Sequence, residues 1–76
     1  MSKLPSVDGK QAVSAFENNG FAVVRISESH HIMKRPGHRF LLAVPVHRRQ
    51  RLKKGLLRGL LSAAGKTVDE FAEDLR

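Results

Sequence analysis

Four of the 76 residues are histidines, and two of them, His30 and His31, are adjacent in a stretch crowded with arginine and lysine. Imidazole, with an ordinary pKa of about 6.5, is the protein group best suited to moving a proton at neutral pH. Cations beside it would hold a phosphodiester in place. The chemistry this combination serves best is RNA cleavage: a general base takes the 2′-hydroxyl proton, the oxygen attacks the adjacent phosphorus, and a cation steadies the extra negative charge of the transition state. DNA has no such hydroxyl. A histidine pair in a basic segment also has a plainer reading, surface or phosphate contact without catalysis.

Other chemistries find less support. Ser29 precedes His30, but no Asp or Glu is evidently placed to orient the imidazole and no Gly-x-Ser-x-Gly elbow is present, which argues against a hydrolase triad. The chain has no cysteine, and Glu28 is the only acid near the pair in sequence, so no metal site and no cofactor is expected. A Gly-rich phosphate loop with its lysine is also missing.

Charge is concentrated in the middle of the chain. Arg25 to Arg58 holds ten basic residues and one acid, a net +9, whereas the whole chain is +7 and the tail carries Asp69, Glu70, Glu73 and Asp74. Arg48 to Lys54 reads RRQRLKK. Such a block attracts polyanions, with nucleic acid first and anionic lipid or an acidic protein behind it; a solvated charged surface that keeps a small protein in solution is the alternative.

Size narrows the field further. A chain this short buries only about 60% of the surface its unfolded form exposes, enough for one modest core across residues 1–76 and too little for a multi-domain enzyme. With 41% hydrophobic and 28% charged residues it has a globular composition. The longest apolar run, Phe40 to Val46, has seven residues and contains Pro45, against the roughly 20 a spanning helix needs. Met1 to Lys10 lacks the build of a secretory signal, so a cytoplasmic location is expected.

The elements that must position the histidines follow from patterning. Asp8 with Gln11 forms a capping box opening a helix over about 9 to 19, stopped by Gly20. Phe21 to Ile26 and His30 to Arg35 read as strands, Arg35-Pro36-Gly37-His38 as a type II turn, and Arg39 to Val44 as a third strand closed by Pro45. Leu52, Leu56 and Leu60, with Leu57, Leu61 and Ala64 beside them, give a helix ending at Gly65; Gly55 and Gly59 are read as marking a face of close backbone approach. Thr67 and Glu70 cap a last helix over about 68 to 75. The fold class is α+β, a two-layer sandwich of order α-β-β-β-α-α with helices on one face of a three-stranded antiparallel sheet. Strand alternation sends His30 and His31 to opposite faces, and parity alone does not say which faces the helices.

The motifs LPSVDGKQAVSAFENNGF, SHHIMKRPG, VPVH and LKKGLLRGLLSAAGKTVDEF, in that order and over nearly the whole chain, resemble the HicA family of RNA-cleaving toxins from bacterial and archaeal toxin-antitoxin pairs. The resemblance implies a fold similar to a double-stranded-RNA-binding domain. It also implies that His30, in a Ser-His element entering the second strand, is catalytic, with His31, Ser29 and the His47 of a Pro-x-His element as secondary candidates. Glu28 stands where the family usually has glycine; its carboxylate could repel RNA, orient His30, or point away.

The activity so implied is that of a metal-independent endoribonuclease, an mRNA interferase that stops translation, with Arg25, Lys34, Arg39, Lys53, Lys54 and Arg58 as phosphate contacts. The implied protein partner is a HicB-type antitoxin covering the active face, the toxin being a monomer on its own. A non-catalytic RNA-binding module on the same fold is the alternative. A membrane-surface role for the basic helix is disfavoured, since its leucines are needed for the core and it carries no Trp or Phe anchors.

Overall fold

A computed structural model describes residues 3–76, so the first two positions of the segment tested for a leader lie outside it. The elements are α1 (Gly9–Asn18), β1 (Ala22–Ser27), β2 (His30–Lys34), β3 (Leu42–Pro45), α2 (Lys54–Ala64) and α3 (Val68–Asp74). The strands form one antiparallel sheet in the order β1-β2-β3, giving the expected α+β fold with its α-β-β-β-α-α order.

Both capping boxes form. The Asp8 carboxylate accepts the Gln11 backbone N–H at 2.8 Å while the Gln11 side chain accepts that of Asp8 at 3.0 Å. At α3 the Thr67 hydroxyl accepts the Glu70 N–H and the Glu70 carboxylate accepts the Thr67 N–H at 2.9 Å. That backbone hydrogen bond, more than the Thr67 hydroxyl or nearby Lys66, holds the Glu70 carboxyl below its ordinary range. A carboxyl with a depressed folded-state pKa supports the fold at neutral pH, and the support fades as the pH falls through the carboxylate range.

The core lies between the helices and one face of the sheet. Phe16, Phe71, Met33, Leu42, Leu57 and Val44 are fully buried there, with Phe16 packed against Phe21 and Phe71 at ring distances of 6.0 and 5.4 Å. Each such side chain contributes about 1.5–3 kcal/mol through removal from water.

Three expectations are corrected. The third strand begins at Leu42, not Arg39, because His38 is drawn out of the sheet to the end of α2. The turn before it is as expected, with His38 N–H donating to the Arg35 carbonyl and Gly37 at φ 78°. The His38 Nε2–H then donates to the Ala63 carbonyl at 2.7 Å, so its Nδ1 accepts from the Arg35 guanidinium at 3.0 Å. Arg35 in turn sits 4.8 Å over the Phe21 ring. That clamp holds residues 38–41 outside the ladder.

On α2 the buried stripe is Leu57, Leu60, Leu61 and Ala64; Leu52 precedes the helix and Leu56 is 41% exposed. Gly55 and Gly59 have open space where a side chain would stand, so they mark no close approach. Backbone meets backbone closely at Gly9 instead. A Cβ there would clash with the Pro45 carbonyl oxygen and stand 2.8 Å from the Val46 Cα.

Candidate active-site edge

The face of each histidine follows from the register. Cross-strand pairs share a face, and Met33↔Leu42 and His31↔Val44 lie on the helix side, where Met33, Leu42 and Val44 are buried. His30 pairs with Pro45 and with Ser27 on the open face, exposed to solvent. His31 is half-buried on the helix side, its Nδ1 enclosed without a hydrogen-bond partner.

A bulge in β1 decides which cations join His30. The register shifts between Val23 and Arg25, so Val23 pairs inward with Met33 while Arg25 pairs with Ile32 on the open face. Lys34 shares that face but lies four residues along β2 from His30, about 13 Å away at strand rise. Arg39 is in the loop clamped by His38, at the end of the sheet away from His30. Lys53 is the N-cap of α2, Lys54 opens that helix and Arg58 follows one turn later, all exposed. Neither the first turn of α2 nor its cap supplies an acid or a capping side chain, so its positive end stands uncompensated beside Lys53 and Lys54.

Two turns build the edge. Glu28-Ser29 links β1 to β2, and the segment after β3 returns to it: Val46 N–H donates to the Ser29 carbonyl at 2.8 Å, and Ser29 Oγ lies 3.2 Å from His47 Nε2. His47 starts a second turn, closed by Gln50 N–H on its carbonyl at 3.2 Å. Below, Leu52 N–H donates to the Val7 carbonyl at 2.8 Å, and Arg51 Nη1 donates to the Ser6 carbonyl. The loop carrying His47 is therefore tied down at both ends, to Ser29 and to the segment that enters α1. Ser29 and His47 come together at the end of the sheet where His30 pairs with Pro45, whereas His31 faces the helices and Lys34 and Arg39 lie toward the other end.

Glu28 at φ 56° and Arg49 at φ 58° are the only non-glycine residues with positive φ among the described residues, and they occupy these two turns. Left-handed backbone at such residues is uncommon, and strain of this kind concentrates where function constrains the chain. The Glu28 position, first of a two-residue hairpin link, is one where glycine fits best. Relief of about 1–2 kcal/mol of left-handed strain, less the 0.5–1 kcal/mol entropic cost of glycine, leaves Glu28→Gly stabilised by up to about 1.5 kcal/mol. A melting temperature higher by a few degrees is the expected result; an unchanged or lower one would show that the turn is unstrained.

Chemically, the edge offers two imidazoles at one end of a cationic face. Among the described residues no carboxylate bonds the His47 ring, and no group of three or more His, Asp or Glu could hold a metal ion. No helix is long and apolar enough to cross a membrane. Sequence reasoning missed the structural work of His38 and Gly9. For Gly9 the only signal was a glycine at the first position of a helix, where propensity disfavours it.

No curated protein and no solved structure shows a match to the chain. A family model described as the HicA toxin of bacterial toxin-antitoxin matches residues 9–66, a span running from Gly9 through both turns to the residue after the α2 cap. With that match covering most of its length, the chain belongs to the HicA toxin family.

Proposed function

We propose that this chain is the toxin of a type II toxin-antitoxin pair and acts as a metal-independent endoribonuclease, cutting mRNA and so halting translation in the cytoplasm. One observation carries the reading: His30 is exposed on the open sheet face with Arg25, at the end where Ser29 meets His47. His30 and His47 divide the acid and base roles. One imidazole removes the 2′-hydroxyl proton, the oxygen attacks phosphorus, and the other imidazole protonates the departing 5′-oxygen. The products are a 2′,3′-cyclic phosphate and a 5′-hydroxyl. Arg25 and Lys53 hold the phosphates nearest the cut, with Lys54, Arg58, Lys34 and Arg39 extending the cationic track.

Family membership supports a protein antitoxin, here taken to be of the HicB type, binding over this face and forming a hetero-oligomer with a toxin that is otherwise monomeric. Antitoxin and RNA then meet the same charges and exclude each other. The test is displacement: unlabelled antitoxin added to the toxin bound to a labelled, non-cleavable RNA should release the RNA, and added to a parallel reaction with cleavable RNA it should stop cleavage. Simultaneous binding of antitoxin and the non-cleavable RNA would refute shared occupancy.

Glu28 favours a second reading, RNA binding without cleavage, because it adds a carboxylate in the turn beside His30. Under it the folded wild type would bind RNA and leave it intact.

A further inference from the structure

A cleft of about 190 Å³ opens beside His47, between the turn that follows β3 and the start of α2. We propose that it holds one nucleobase of the RNA strand, next to the phosphate that is cut, and that Gln50 and Leu56 determine which base is preferred. This rests on the RNA-cleaving reading above.

The lining supplies what a base needs. Pro45, Leu52 and Leu56 form apolar walls, and Leu56, 41% exposed, belongs to no part of the buried stripe of α2. A planar ring buries its faces against such walls, and a base removed from its stack gains about 1–3 kcal/mol from a comparable surface. Gln50 also lines the cleft, and its amide presents an acceptor and two donors to a ring edge. Arg49, in left-handed backbone, is the residue of the His47 turn that delivers Gln50 there. Lys53 stands at the rim, suited to a flanking phosphate. His47 is both a wall of the cleft and the partner of Ser29, so an occupant base would be continuous with the reacting phosphate. An acidic side chain of a protein partner would meet Lys53 and Arg51, which also lines the cleft with its Nη1 on the Ser6 carbonyl, but it would leave the apolar walls and the uncharged Gln50 amide unused. The lining therefore favours a base.

The test uses the full chain and a single-stranded RNA with a 2′-deoxy sugar at the cleaved nucleotide, the site having first been mapped with the all-ribose strand. Abasic nucleotides are placed one at a time, and binding is read by fluorescence anisotropy. Removal of one base adjacent to the cut should weaken binding to the wild type about tenfold. In Gln50→Ala and Leu56→Ala, both changed at exposed positions, the same removal should cost little, because the contact is already lost. A flat abasic profile, or an equal loss in wild type and variants, would overturn the proposal. So would variants that keep the base profile and lose only the antitoxin, which would make the cleft a protein contact. If the folded wild type cuts no all-ribose strand, the RNA-cleaving reading has failed; if it cuts and the profile is flat, only the base pocket has.

Discussion

Gly9→Ala is expected to lower the melting temperature by more than 10 °C and to abolish RNA cleavage in whatever fraction stays folded. The added methyl would collide with the Pro45 carbonyl oxygen and the Val46 Cα, both backbone. Neither can retreat cheaply. Pro45 is registered against His30 and Val46 is bonded to Ser29, while α1 on the other side carries the buried Ala12, Ala15 and Phe16. Overpacking of this kind costs about 1–3 kcal/mol, and a clash against main chain belongs at the upper end. At about 4–8 °C per kcal/mol for a domain of this size, 3 kcal/mol corresponds to a shift of roughly 12–24 °C. Thermal unfolding followed by circular dichroism checks it, with Gly55→Ala as the contrast. Gly55 has open space around it, and alanine is the better helix former by about 1 kcal/mol, so its melting temperature should hold or rise. Equal behaviour of the two variants would refute the close approach of α1 to the His47 loop.

His30→Ala should reduce cleavage by about 10²- to 10⁴-fold, the range for loss of a general acid or base, while RNA binding persists on the remaining cations. His47→Ala should fall in the same range. The double variant should lose little beyond either single one, as groups acting in one proton-transfer unit do. Were His30 only a phosphate contact, binding and cleavage would fall together, and the deficit would shrink at high salt as the electrostatic share of binding is screened. Single-turnover cleavage alongside anisotropy separates these outcomes.

Much of the fold was legible in the sequence because its signals were local. Asp8 with Gln11 and Thr67 with Glu70 each encode a helix start within four residues, and Pro36-Gly37 encodes its turn; all three form as expected. The branched and aromatic content of β1 and the turn signals flanking β2 placed those strands to within a residue. What stayed hidden depends on contacts far apart in sequence. The late start of β3 comes from His38 reaching Ala63, twenty-five positions on, and no periodicity reports such a bond. The expected α2 stripe loses only its first two positions, since Leu52 precedes the helix and Leu56 is exposed.

The candidate site was half legible. His30 and Ser29 are neighbours in sequence, but their juxtaposition with His47 is made by the return of the chain after β3. The tie between His30 and His31 was broken only by register, through the buried partners Val44 and Leu42 of the opposite face. Glu28, conspicuous only against the family pattern, gains a physical reading from its positive φ.

The central claim is that this edge cleaves RNA by attack of a 2′-oxygen without a metal. The most direct measurement incubates the purified, folded chain in EDTA with an RNA strand, with the same strand carrying one 2′-deoxy sugar at the mapped cleavage position, and with the corresponding DNA. The expected result is cleavage of the RNA alone, leaving a 2′,3′-cyclic phosphate and a 5′-hydroxyl, with the single 2′-deoxy substitution protecting that site. Cleavage of the 2′-deoxy strand or of DNA at a comparable rate, or a folded chain that binds RNA and leaves it whole, would contradict the claim.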